Sequence, residues 1–560
     1  MSYRPRPSCL YGANTGGVTN ESQATDTVDS VTLVKQPAMN QPELNEDLLE
    51  ERLTELEAAH GWSPRVVSRL ESLIRTSDDD ALFRINSLRY ALDQGVEETE
   101  AVDLFLYATK AGLFDMDWLI ACAACANVYS SFRSLEKLEP NFICDMCSYE
   151  NEADLDDYIQ VAFTVSPQIR SIRFHDPAAL SVEELYFRYH RSTDVKPLPA
   201  GSTVPQILER WTKLLTYIEP GGIETVEFDR PRGIIGVMDV LGPASSLYVV
   251  NPAVGDHRTD LALESDGRDL IDAKGTQVGP FELAIPEGRS FYAETDDPLT
   301  AADPEAGTMV FKLPAVGQIA TGPVTLTIQN RSDQRTSAWV VEYPPVPQQA
   351  GMIEFWPVLS GKQLLSNQTF RSLFRSETMP ESETFQVKDL TYLFTDLKDS
   401  TLIYDTVGDL NAYDLVRRHF DALLQVVADN KGAITKTIGD AIMATFVNPA
   451  DGVRSAFDML AAMANFNQAA TSDLILKIGM HRGRSLAVTL NERIDYFGQE
   501  VNIAARVQQL ATAGEIVLSE EVYRDAEVMA ILEPYDVVED SGIMKGVQRD
   551  VAVFRVRPQH

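Results

Sequence analysis

From residue 388 onward, apolar runs with strand spacing alternate with apolar stripes at helix spacing. That alternation restricts the segment to an α/β sheet architecture. "LTYLFTD" is a short apolar run ending in an acid. Val416, Phe420, Leu423, Leu424 and Val427 recur at helical spacing, and Gly432 is placed to end that helix. "AITKTIGDAIMATF" reads as strand, turn, strand. Val453, Phe457, Leu460, Ala461 and Ala464 repeat the helical stripe. "LKIGMHRGRSLAV" reads as a strand region, "GQEVNIAARVQQLATAG" as a helix and "EIVLS" as a strand. Charged residues gather at the ends of these elements, where such sheets present catalytic groups.

Two acids and one helix face suggest the chemistry. Asp396 ends the first strand and Asp440 sits in the hairpin turn. Strand end and turn tip of one sheet can meet, and paired aspartates suit hard cations at a phosphoryl centre. Either acid alone would more often be a solvated turn residue. On the helix, Asn502 and Arg506 share a face, with Ile503, Val507 and Leu510 on the opposing apolar stripe. Together an amide and a guanidinium suit a ribose and a developing phosphoryl charge. A surface amide beside an ion-paired arginine is the bland alternative.

The blocks "LFTDLKDST", "KTIGDAIMATF", "IGMHRGR", "DYFGQEVNIAAR" and "MKGV" together resemble the class III nucleotidyl cyclases, in that family's order and approximate spacing. The resemblance implies a catalytic domain of ferredoxin-like palm type over 388–560, active as a head-to-tail homodimer with sites shared between chains. It implies that Asp396, Asp440 and the backbone carbonyl of Leu397 hold two Mg²⁺ or Mn²⁺ per site. Lys436 and Asp495 from the partner chain would read the purine edge, Asn502 would orient the ribose, and Arg506 would stabilise the transition state. Ser400, Thr401 and Arg484 would contact the substrate. A lysine donating to adenine N1 and an aspartate accepting from the 6-amino group favour ATP, giving cyclic AMP and pyrophosphate. Guanine presents the opposite pattern, so a guanylate cyclase is the alternative, followed by an inactive nucleotide-binding regulator. Asp399 stands where many members carry glycine, and the stretch from Arg484 to Asp495 is short for the family. His481 reads as structural.

The front half differs in character. Residues 1–43 are rich in Ser, Thr, Asn, Gln and Pro without periodicity and read as a disordered tail. Helical spacing follows over 44–119: Leu49, Leu53 and Leu56 share a face, and further helices are expected over 79–93 and 98–113. Cys122-x₂-Cys125 and Cys144-x₂-Cys147, with 18 residues between the pairs, have the spacing of a zinc ribbon over 120–150. Four thiolates leave no open position, so one Zn²⁺ per chain would be structural. A mixed connector spans 151–204. Over 205–350 short runs such as "SLYVV", "FELAI", "TMVFKL", "PVTLTIQN" and "SAWVVEY" predict a β-sandwich-like unit, read as a sensor. A linker, 351–387, leads to the catalytic segment. "FDMDWLIACAAC", "FRSLFRSETM" and "DLKDSTLIYDTVGDLNAY" are similar to the N-terminal regions of some soluble bacterial class III cyclases.

The formal net charge of −35 disfavours phosphate backbones and anionic bilayers. It counts against a zinc-ribbon nucleic-acid-binding regulator. With no signal peptide and no apolar run long enough to span a bilayer, a cytoplasmic protein is expected.

Overall fold

The computed structural model describes residues 44–122, 126–134, 141–143, 150–152, 155–156, 159–197, 203–230, 233–241, 245–274, 278–286, 308–343, 354–379, 384–398, 408–469, 473–542 and 551–557. The expected tail lies outside them. Four helices come first: α1 (Glu46–Ala59), α2 (Val66–Thr76), α3 (Ser87–Gln94) and α4 (Glu98–Lys110). The side chain of Asn45 caps α1 by accepting from the Leu48 amide, and the helix buries Leu49, Leu53 and Leu56. The helix expected over 79–93 begins later, at Ser87. Asp78 accepts from the Ala81 amide at 2.9 Å, Asp79 accepts from the Arg173 amide at 3.0 Å, and Asn86 caps α3. Short polar side chains that capture backbone amides favour turns and caps over a helix interior.

β1 (Phe114–Ala121), β2 (Val128–Phe132) and β3 (Ile159–Val165) build an antiparallel sheet under these helices. β3, "IQVAFTV", is buried along its whole length, as a strand covered on both faces must be. It falls within the stretch expected as a connector.

Ten strands then form two sheets: β4 (Thr212–Ile218), β5 (Ile223–Arg230), β6 (Gly233–Met238), β7 (Ser245–Val250), β8 (Thr259–Ser265), β9 (Leu270–Asp272), β10 (Val278–Pro286), β11 (Thr308–Ile319), β12 (Gly322–Asn330) and β13 (Thr336–Tyr343). The six-stranded sheet runs β10-β11-β7-β6-β13-β4 and the four-stranded one β9-β8-β12-β5. Val237, Tyr248 and Val250 of the first share a core with Leu261, Val324 and Leu326 of the second, so the β-rich unit is a sandwich. The chain enters and leaves it side by side. Val195 bridges Phe355, the Lys196 amide donates to the Glu354 carbonyl at 2.8 Å, and the Trp356 amide to the Asp194 carbonyl at 2.7 Å.

β14 (Leu359–Ser360) then joins the front sheet beside β3. Two short helices follow, α5 (Gly361–Leu365) and α6 (Gln368–Leu373).

The last segment comprises β15 (Phe385–Leu397), α7 (Asp409–Asp429), β16 (Gly432–Ile438), β17 (Ala441–Phe446), α8 (Pro449–Ala469), β18 (Leu476–Leu490), β19 (Arg493–Phe497), α9 (Gln499–Gln509), β20 (Ile516–Ser519), α10 (Ala526–Leu532), β21 (Val537–Gly542) and β22 (Val551–Val556). Its sheet runs β16-β17-β15-β18-β20-β22-β21, with β19 hairpinned onto β18. α7 ends before Gly432: Lys431 takes the left-handed conformation (φ 60°) and Gly432 already opens β16. Strand alternation divides β15 between two cores. Leu393 and Leu397 meet α7 and α8, whereas Leu390, Tyr392 and Phe394 belong to a cluster with Val501 and Ala504 of α9 and with the front module.

Candidate active site

The two metal-type acids are brought to one place by β15 and β17. Their antiparallel register ends at Phe394 opposite Met443, and the Thr395 hydroxyl then accepts from the Ile442 amide at 3.2 Å. The next residues are Asp396 on one strand and Ala441, preceded by Asp440, on the other. Gly439, at φ +64°, supplies the left-handed residue that this tight turn requires.

Asp440 Oδ2 is buried with no hydrogen-bond partner among the described residues. An orphaned carboxylate oxygen, on the hairpin next to the strand that ends in a second aspartate, fits a hard divalent cation, which takes oxygen ligands. Asp396 is not alone: Lys477, directly across the β15–β18 register, places Nζ 2.7 Å from Asp396 Oδ2. Leu397 closes β15 and is buried. His419 of α7 is fully buried, its Nδ1 2.6 Å from the Val416 carbonyl. Burial holds its imidazole below the ordinary value, against the opposing pull of the Asp440 charge. Neither Lys477 nor His419 was expected from the sequence. The period-two pattern of "LKIGMHRGR" gives a strand and its faces, but not which residue lies opposite Asp396.

Lys436 and Asp495 come together within the chain, Nζ to Oδ2 at 2.6 Å. β16 supplies the lysine, next to a register shift between Ile434 and Lys436. β19 supplies the aspartate, whose Oδ1 also accepts from the Tyr496 amide at 2.8 Å. The Asp495 side chain is only 12% exposed and that of Lys436 38%, so the pair is anchored by its acid and open at its base. The hairpin from Arg484 to Asp495 closes at Asn491 and Glu492, both at positive φ (51° and 59°), which makes it a tight two-residue turn.

Asn502 and Arg506 project from α9. Gly479 lets this helix lie against β18, since a Cβ there would fall 2.1 Å from the Gln508 amide nitrogen. Asn502 is exposed and donates to the Gly498 carbonyl at 3.2 Å. Arg506 makes no hydrogen bond or ion pair among the described residues, and neither does the exposed Arg484. Lys436 is thus bonded to Asp495, Asp396 and Asp440 sit at adjacent ends of neighbouring strands, and among the described residues neither Asn502 nor Arg506 is bonded to any of the four. Ser400, Thr401 and Asp399 lie outside the described residues, as does "MKGV". His481 is fully buried between Glu500 (2.6 Å) and Ser519 (2.8 Å), and its hydrogen bond pulls the Glu521 carboxyl down to about 2. Its position is structural, as expected.

Sequence reading missed a third contributor, α6. Gln368 Oε1 accepts from the Ile434 amide at 2.8 Å, two residues before Lys436. Arg371 donates to the Ile494 carbonyl at 3.1 Å, one residue before Asp495, and to the Leu365 carbonyl at 2.7 Å.

Of the four zinc-type cysteines, Cys122 is described and buried at the end of β1, and Cys125, Cys144 and Cys147 lie outside the described residues. Among the described residues no three His, Cys, Asp or Glu side chains are grouped to hold a metal. No described helix is long and apolar enough to cross a membrane.

A family model described as the adenylate and guanylate cyclase catalytic domain matches residues 383–549, and one for a family of unknown function, DUF5939, matches residues 50–286. An uncharacterized protein of Mycobacterium tuberculosis is 33% identical over 124 residues, 22% of this chain and 31% of that protein. Adenylate cyclase 2 of Rhizobium meliloti is 27% identical over 189 residues, 32% of this chain and 50% of that one. The chain thus spans a half or less of the length of these curated relatives. The crystal structure of the adenylyl cyclase CyaB from P. aeruginosa aligns at 23% identity over 32% of this chain and 97% of that one, with a TM-score of 0.27. The palm-type sheet, the hairpin acids and the family match agree: residues 383–549 are a class III adenylate/guanylate cyclase catalytic domain.

Proposed function

We propose that the chain is an adenylate cyclase that converts ATP to 3′,5′-cyclic AMP and pyrophosphate at sites shared between two copies. The Lys436–Asp495 pair carries this reading. Adenine offers an acceptor at N1 beside a donor at its amino group, and an ammonium held against a carboxylate offers the complement. Guanine would meet a donor where it needs an acceptor, which disfavours the guanylate cyclase reading.

Class III cyclases use Mg²⁺ or Mn²⁺ in catalysis, and here Asp396, Asp440 and the Leu397 carbonyl would hold the ions. Bound metal supplies Lewis-acid polarisation of the phosphoryl oxygens and lowers the pKa of the ribose 3′-hydroxyl. In the reaction the 3′-oxygen bonds to the α-phosphorus, its proton passes to solvent water, and the bond to the bridging oxygen breaks so that pyrophosphate leaves. Asn502 would hold the ribose so that the 3′-oxygen lies in line. Arg506, with no polar partner of its own among the described residues, would meet the charge that develops on the α-phosphoryl oxygens. Arg484, Ser400 and Thr401 would hold the polyphosphate. By the resemblance to class III cyclases, Asn502 and Arg506 are assigned to a site completed by a second copy of the chain.

Zinc on Cys122, Cys125, Cys144 and Cys147 belongs to the same proposal. Each Cys-x₂-Cys falls between two paired strands, β1 with β2 and 141–143 with 150–152, the setting of a zinc knuckle.

The test is product formation from ATP or GTP with Mg²⁺ and then Mn²⁺, read by mass spectrometry. Cyclic AMP is expected, and cyclic GMP alone would overturn the purine assignment. Asp440→Ala should lower turnover at least about a hundredfold with the fold intact. Mixing inactive Asp440→Ala and Arg506→Ala chains should restore part of the activity, and proven mixed dimers without activity would refute the shared site.

A further inference from the structure

A cavity of about 350 Å³ lies on the seam between the front module and the catalytic domain. Glu98, Val102 and Asp103 of α4 line one side, Leu359 and Ser366 line its floor, and Asp451 at the start of α8 faces in from the catalytic side. Its size is that of a small-ligand site.

Two independent features set its chemistry. Ser366 is 1% exposed, and its hydroxyl has no hydrogen-bond partner among the described residues. A buried hydroxyl is costly to leave unbonded, so the site favours a ligand that bonds to it. The acids are the second feature. Asp103 accepts from Asn367 at 3.3 Å, and burial pushes its carboxyl above the ordinary range. Burial also raises Asp451, although Arg454 lies 2.8 Å away. Lys431, the cation on the cavity wall, reaches Glu97 at 3.6 Å. Val102 and Leu359 are buried and apolar. The cavity therefore offers carboxylates on both sides of the seam, a hydroxyl with unused bonding capacity, and apolar wall between them.

We propose that this cavity binds an aliphatic diamine, with one ammonium at Asp103 beside the Ser366 hydroxyl, the other at Asp451, and the alkyl stem along Val102 and Leu359. Two ammoniums bonded to acids from different modules tie α4 to α8, so the ligand favours the closed arrangement of the seam. Gln368 also lines this cavity and holds the Ile434 amide, which places the ligand one side chain from the strand of Lys436.

The experiment is calorimetric titration of the full chain with 1,4-diaminobutane at constant ionic strength, which needs no turnover and so is separate from the cyclase reading. One saturable site is expected. Asp103→Asn and Asp451→Asn should each weaken it about tenfold or more, the loss of one charge-assisted bond. Glu57→Gln, on an exposed face of α1, should leave it unchanged. If Asp103→Asn fails to fold, Asp451→Asn makes the same test from the other wall. Absence of saturable binding up to about 10 mM, far weaker than two charge-assisted bonds should give, would overturn the proposal. Binding indifferent to both substitutions, or equal affinity for 1-aminobutane, would overturn it as well.

Discussion

Lys436 and Asp495 lie 59 positions apart, and their 2.6 Å contact is the residue-scale feature on which the proposed ATP selectivity rests. Because Lys436 is 38% exposed, the pair adds at most about 1 kcal/mol to stability. Lys436→Ala should therefore leave the melting temperature within a few degrees while lowering kcat/KM for ATP about tenfold or more. Thermal melts beside steady-state kinetics check this, and a collapsed fold with unchanged kcat/KM would make the pair purely structural. Both residues were legible in the sequence because each sits in a short local motif. Lys477 was not, although it lies 2.7 Å from Asp396, because cross-strand neighbours depend on a register that β18 shares with β15, β19 and β20. Periodicity also misplaced the start of α3, where Asp78, Asp79 and Asn86 take backbone amides that a helix would have used internally.

At the scale of the element, α6 is six residues long, yet it reaches both the strand of Lys436 and the strand of Asp495. The Arg371 guanidinium bonds two carbonyls and lies 5.7 Å from the Tyr496 ring centroid, next to Asp495 on the chain. A charged donor bonded to a backbone carbonyl contributes about 1.5–3 kcal/mol. Arg371→Ala should release β19 and raise KM for the nucleotide severalfold with a smaller change in kcat, whereas Gln94→Ala, exposed at the end of α3, should alter neither. Equal effects of the two substitutions would remove α6 from the site. The sequence showed "FRSLFRSETM" as a linker and could not show its target, because both of its contacts end on backbone atoms that carry no residue signature.

For the whole molecule, one hydrophobic cluster runs from Leu49 in α1 to Ala504 in α9 and includes Tyr392, Phe394 and Tyr496. Polar contacts fasten the same junction: the Leu155 amide donates to the Gln386 carbonyl at 3.2 Å, and Asp156 accepts from the Lys388 amide at 2.8 Å while pairing with Lys362. Residues 380–560 produced alone would expose this face. Such a fragment should melt well below the full chain and bind a hydrophobic dye, and a fragment matching the full chain in both would refute the shared core. In the sequence "LTYLFTD" is a continuous apolar run, and α7 and α8 account for one of its two faces. What covers the other is a pairing between segments more than a hundred residues apart, which local periodicity does not encode.

The neighbouring entry and exit of the sandwich bear on how a ribosome delivers this protein. β3 emerges about 200 residues before β14, the strand that completes its edge. Through that interval the nascent front sheet keeps part of an edge open while the whole sandwich is synthesised. The Val195–Phe355 bridge can form only when both borders of the inserted unit are out, and it then brings β14 alongside β3. Closure of the front sheet thus waits for completion of the sandwich, which orders assembly in time before the first catalytic strand appears.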